Sequence, residues 1–161
     1  MACVIIWLAL EVDEMFDNAD YWLNMADDDI KVDKNLLKSK DYLWMGFICH
    51  LIAEKSLKAV YTAVVKEVPP YDHKLLNLAK LSDILTDLSD EQKNLLGRLQ
   101  PLQIEARYPS HREKVTASLS ESICKKLLSE TEEFLCWTKI WLEKLRQTTQ
   151  KQSDNTTIPS K

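Results

Sequence analysis

Residues 51–60 read Leu-Ile-Ala-Glu-Lys-Ser-Leu-Lys-Ala-Val, a run in which charged side chains stand among apolar ones and no residue breaks a helix. The run lies inside a longer segment, residues 41–67, that is apolar on nearly every side between positions 42 and 53. A helix that is apolar all round is buried against several neighbours. The segment therefore predicts a central helix in a helical core.

The composition of the chain favours the same fold class. Only two glycines and five prolines occur in 161 residues, and 45% of the residues are hydrophobic. Few turn-forming residues and abundant Leu, Ala, Lys, Glu and Asp are typical of long helices, and this length suits one self-sufficient domain. We expect an all-α protein, an antiparallel up-and-down bundle of four to five helices.

Hydrophobic periodicity and proline positions divide the chain into helices. They predict helices over residues 18–39, 41–67 and 73–88, a fourth that begins with the capping pattern Ser89-Asp-Glu-Gln92, and a last one from Ser118 to Leu145. Residues 1–17 form an apolar N-terminal segment that we expect to be helical, and residues 18–146 form the bundle. The polar composition of residues 147–161 predicts a disordered tail.

Charge and cysteine usage restrict the classes of partner. A net charge of −4 argues against a surface built to bind DNA, because neutralising phosphates requires a basic excess. The apolar start of the chain is too short to span a bilayer, and the four cysteines lack Cys-x-x-Cys spacing, so we expect free thiols in the cytoplasm and no membrane. The acids at positions 27–29 point in different directions on a helix, so no metal site and no cofactor are predicted.

A polar stripe on the central helix is the first candidate site. His50, Glu54 and Lys58 recur at intervals of four and so share one helix face. Buried charges need partners, which leaves two interpretations. The stripe either closes on itself through ion pairs, or it lines a cleft where Lys58 meets a phosphate and His50 or Glu54 meets a base or ribose. His73 could add a donor at the start of the next helix.

The second candidate is formed by Arg107 and His111. An arginine can stabilise a pentavalent phosphate while a histidine moves a proton, which together suffice for RNA cleavage without a metal. In the alternative interpretation Arg107 anchors a carboxylate such as Glu54 across the bundle, as arginine does in partly buried ion pairs.

Four short motifs, in this order, resemble the HEPN family of small all-helical proteins. They are Trp22-Leu23-x-x-Ala26 with Asp29, then Ala53-Glu54-Lys55-x-Leu57-Lys58-Ala59, then His73-x-Leu75, and finally Ala106-Arg107-Tyr108-Pro109. The resemblance implies a bundle of long antiparallel helices with a short extra helix, usually dimeric. It also implies a nucleotide-binding role or a minimal nucleotidyltransferase as partner, sometimes as a toxin-antitoxin pair. We expect the ligand in the cleft around His50, Glu54, Lys58, His73 and Arg107.

Other branches of that family are ribonucleases with an arginine and a histidine separated by roughly four to six residues. In this chain only three residues separate Arg107 from His111, and Pro109 among them should break the helix. Our leading hypothesis is therefore a non-enzymatic, homodimeric domain that binds a nucleotide or a nucleotidyltransferase partner. The alternatives are a metal-independent ribonuclease toxin that uses Arg107 and His111, with RNA as its ligand, and a helical interaction protein without a ligand.

Overall fold

The computed structural model describes the backbone of residues 2–105, 113 and 116–155, and the side chains of residues 16–103, 113 and 116–152. Six helices have bounds within this part of the chain, further helical residues lie at 113 and 116–118, and no strand occurs there, which confirms the all-α fold class. The helices are α1 (Ala2–Ser39), α2 (Tyr42–Val65), α3 (Leu75–Leu81), α4 (Asp90–Leu99), α5 (Leu102–Glu105) and α6 (Glu121–Asn155).

The three long helices form the body of the bundle, and α1 runs antiparallel to both α2 and α6. Salt bridges show the register of α1 and α6, because Asp20 pairs with Arg146 and Asp27 with Lys139, so that residue numbers rise along one helix as they fall along the other. The central helix α2 contacts all five of the other helices. Its predicted central position is confirmed.

Close-packed apolar side chains explain the position of α2. Met45, Ile52, Leu57 and Val60 are completely buried along it, and Phe134 of α6 is 1% exposed. Full burial of one such side chain contributes about 1.5–3 kcal/mol.

Helix α2 ends where Lys66 adopts a left-handed conformation, with φ of 64°, three residues before the first proline.

The first and last helices extend beyond the predicted bundle of residues 18–146. The apolar segment 1–17 is not separate, because α1 runs without interruption from Ala2 to Ser39. At the other end α6 continues to Asn155, so disorder was the wrong prediction for residues 147–155, while residues 156–161 lie outside the described part. Neither helix contains glycine or proline, so nothing in the backbone stops helix propagation there.

The shorter helices are bounded by local hydrogen bonds. The predicted capping box at α4 is confirmed, since Gln92 N donates to Ser89 Oγ at 3.2 Å and Ser89 N donates to Gln92 Oε1 at 2.9 Å. The long helix α6 is capped by Ser120, whose hydroxyl accepts from Ile123 N, instead of by Ser118.

Helix α3 is shorter than predicted. It covers Leu75–Leu81, whereas apolar periodicity had extended it to residue 88. Asp83 lies in the left-handed region with φ of 58°, which turns the chain out of the helix.

Among the described helices none has an apolar stretch long enough to cross a membrane.

Candidate functional site

The carboxylate of Glu54 is the centre of a polar cluster between α2 and the segment that leads into α3. Lys58 Nζ donates to Glu54 Oε1 at 2.8 Å, and His73 Nδ1 lies 3.1 Å from Oε1 and 3.0 Å from Oε2. A carboxylate can only accept, so His73 Nδ1 carries the hydrogen. Glu54 is only 5% exposed, and these contacts supply the partners that a buried charge requires.

His50 joins the same cluster from one turn earlier on α2. Its side chain is completely buried, and its Nδ1 lies 3.7 Å from Glu54 Oε2. Its Nε2 lies 3.2 Å from the backbone carbonyl of His73, which can only accept, so Nε2 donates. His50 thus ties the central helix to the segment before α3.

Lys58 has a second neighbour besides Glu54. Its ammonium lies 5.4 Å from the centre of the Trp22 ring on α1, a cation–π distance. Lys58 is 8% exposed, so its ammonium is nearly buried between the Glu54 carboxylate and the Trp22 ring. The Glu54–Lys58 ion pair is a contact of the kind that the first interpretation describes, and a ligand beside it stays a prediction.

His73 is the part of the cluster that reaches solvent. Half of its side chain is exposed, against 7% for Glu54 and 10% for Lys58. With Nδ1 committed to Glu54, the nitrogen on the far side of the ring, Nε2, is the atom turned away from the carboxylate. That nitrogen can accept a hydrogen bond or take up a proton.

The backbone around His73 is fixed by a residue that the sequence did not single out. Gln100, at the end of α4, accepts from Leu75 N at 2.7 Å and donates to the carbonyl of His73 at 3.0 Å. Gln100 therefore caps the start of α3 from 25 positions away. No local pattern could have indicated this contact, because glutamine in that position reads as surface.

Asp72 holds the same segment from its other side. Its carboxylate accepts from Lys74 N at 2.9 Å and from the Asn77 amide at 2.5 Å. These hydrogen bonds, led by the one from Asn77, lower the pKa of Asp72. Asp72 therefore fixes the turn that presents His73.

The structure brings together four of the predicted ligand-binding residues: His50, Glu54, Lys58 and His73. Arg107 and His111 lie outside the described residues, and their roles stay predictions. The acids at positions 27–29 do not converge, because Asp27 pairs with Lys139, Asp28 with Lys31 and Asp29 with Lys55. Within the described residues no cluster of three or more acidic, His or Cys side chains could hold a metal.

This bundle and the order of its motifs define the class of protein. The HEPN domain matches residues 19–141, and the chain belongs to the HEPN domain family. In structure the chain is similar to TT1696 from Thermus thermophilus, with a TM-score of 0.61 and 20% identity over 75% of this chain and 95% of that one. At that identity the similarity supports the fold alone. No curated protein matches the sequence.

Proposed function

We propose that this HEPN domain binds a nucleotide at the edge of the Glu54 cluster, with His73 as the residue that contacts the ligand. The observation that carries the proposal is the unequal exposure within one ion-paired cluster. Glu54 and Lys58 are buried and hold each other, whereas the His73 ring is half exposed and fixed by its Nδ1. A ring held in this way offers a prepositioned polar group at low entropic cost.

The chemistry of Nε2, on the half-exposed His73 ring, suits a nucleotide. Unprotonated Nε2 accepts from a ribose hydroxyl or from a base N–H, and protonated Nε2 donates to a phosphate. The Lys58 ammonium, 2.8 Å from Glu54 Oε1, offsets the negative charge of the carboxylate that holds the ring. The role requires no catalytic step, so the proposal is a binding module.

We propose four further properties together with this binding role. They are a minimal nucleotidyltransferase as partner, a toxin-antitoxin pairing, a homodimer and a cytoplasmic location.

Calorimetric titration with AMP, ATP and GTP tests the binding proposal. We expect His73→Ala to weaken binding about tenfold, the loss of one hydrogen bond to a charged or strongly polar group. The matched control is Lys74→Ala, which removes a neighbouring exposed cation that does not contact Glu54. Unchanged affinity in His73→Ala, or no heat with any nucleotide from the folded wild type, contradicts the proposal.

The ribonuclease alternative is tested separately. The purified protein is incubated with single-stranded and structured RNA in EDTA, beside Arg107→Ala and His111→Ala. Our proposal expects no cleavage by any of the three proteins. Cleavage by the wild type that either substitution abolishes would replace the binding module with an enzyme.

The homodimer and the nucleotidyltransferase partner need their own measurement. Light scattering after size-exclusion chromatography gives the mass of the particle, and we expect twice the 18.7 kDa of one chain. The same column, loaded with a nucleotidyltransferase encoded beside this protein, tests the partner. A monomer at all concentrations contradicts the homodimer without affecting nucleotide binding.

A further inference from the structure

A second buried carboxylate, Asp33, lies where α1, α2 and α6 meet, on a different part of the bundle from Glu54. Its side chain is completely buried. Cys49 Sγ of α2 donates to Asp33 Oδ2 at 2.9 Å, and Oδ1 has no hydrogen-bond partner among the described residues. Thr131 of α6 lies beside the same Cys49 thiol, so side chains from all three long helices meet there.

Among the described residues of these helices, no cation faces Asp33. The charged groups that act on it are Asp29 on α1 and Glu132 on α6, both acidic. Their basic partners, Lys55 and Lys34, are bound to them instead. The remaining titratable neighbours are the thiols of Cys49 and Cys124.

An ionised carboxylate in such a place is costly, because burial removes water and only a thiol replaces it. A group in this position takes up a proton instead of staying charged. Burial raises the pKa of Asp33 from 3.8 to about 7, with smaller contributions from Asp29 and Glu132, while the Cys49 hydrogen bond opposes the rise.

We propose that Asp33 is a proton-dependent latch of the bundle, neutral when α1, α2 and α6 are packed together and weakening their contact when it ionises. The geometry that supports this is the complete burial of the carboxyl, its single thiol donor and its acidic neighbours. The latch does not depend on nucleotide binding, since Asp33 does not contact the Glu54 cluster.

The direction of the effect follows from proton linkage. Between pH 4 and pH 7 the folded protein holds the Asp33 proton and the unfolded chain does not, so stability falls as pH rises. The unfolding equilibrium constant increases about tenfold per pH unit in this window and levels off above it. Across the window the total change is roughly a thousandfold.

Urea unfolding of the full chain at pH 5, 6, 7 and 8 tests the latch. Asparagine keeps the shape of the side chain and stays neutral. We therefore expect the stability of Asp33→Asn to fall much less with rising pH than that of the wild type, and the variant to be the more stable protein at pH 8. Asp28→Asn is the matched control, because Asp28 is on the same helix but pairs with Lys31 at the surface, and it should follow the wild type. If the stability of Asp33→Asn falls with rising pH as much as that of the wild type, the proposal is overturned.

A direct measurement covers the case in which the new amide itself disturbs packing. The carbon-13 resonance of the Asp33 carboxyl, followed by NMR in the native wild-type protein, reports its ionisation. We expect a midpoint near neutrality. A resonance that shows an ionised carboxylate down to pH 5 overturns the proposal whatever Asp33→Asn does.

Discussion

Glu54 and Asp33 are two buried carboxylates in one bundle, and their partners differ. Glu54 contacts an ammonium and two imidazoles, whereas Asp33 contacts one thiol. Glu54 has partners suited to a negative charge, and Asp33 has an environment suited to a neutral acid. Similar burial thus gives opposite electrostatic roles, and the neighbours decide which role a buried acid has.

This difference also separates binding from stability. The Glu54 cluster reaches solvent through His73, so a ligand can reach its edge. The Asp33 side chain does not reach solvent, and only a proton can change its state. Our two proposals therefore assign the ligand contact to His73 and the pH response to Asp33.

The largest expected effect is that of Glu54→Gln. The substitution leaves Lys58 as a nearly buried ammonium with no anion, and breaking a buried pair in this way costs about 3–5 kcal/mol. Urea denaturation at pH 7 measures the free energy of unfolding. The control is Glu121→Gln, whose carboxylate pairs with Lys125 in solvent and whose loss should leave stability nearly unchanged. Equal losses in the two variants contradict the assignment of Glu54 as the centre of a buried cluster.

A smaller effect is expected from the coupling between Glu54 and Lys58. Removing both charges, in Glu54→Gln with Lys58→Met, leaves no unpaired ion, so the double variant should be more stable than the sum of the single losses predicts. Couplings between residues in contact are about 0.5–3 kcal/mol. The same cycle with Asp33→Asn in place of Lys58→Met should give no coupling. Additivity of Glu54 and Lys58 would show that His73 and His50 alone hold the carboxylate.

Much of the fold could be predicted from the sequence, because long apolar periodicity is a local signal. The segment 41–67 indicated a central helix, and α2 contacts every other helix. Ser89 and Gln92 indicated the start of α4 for the same reason, since a capping box is four residues long. The helix ends were less accurate: the polar composition at residues 147–155 indicated disorder, whereas the helix continues through them.

The candidate site was predicted in part. Spacing along one helix placed His50, Glu54 and Lys58 on one face, but it could not say whether they would pair with each other or with a ligand. Gln100 and Asp33 were not predicted, because their roles arise from contacts between residues distant in the sequence. In the sequence, Asp33 looks like any other acid on an amphipathic helix. Only the packing of α2 and α6 against α1 shows that it is buried.

The smallest expected effect distinguishes the position of His73 from the stability of the bundle. Gln100→Ala removes the hydrogen bonds to Leu75 N and to the His73 carbonyl, which should cost about 1 kcal/mol. Gln92→Ala is the matched control, since it removes the Gln92 side-chain half of the capping box of α4 at a similar cost and away from the cluster. Both variants should unfold at similar urea concentrations, and only Gln100→Ala should weaken nucleotide binding, because it alone releases the backbone that presents His73.

The pH dependence of stability that arises from Asp33 should be the same in Gln100→Ala and Gln92→Ala. Equal nucleotide affinity in the two variants would show that Glu54 alone positions His73, and a changed pH dependence would show that the two carboxylate clusters are coupled.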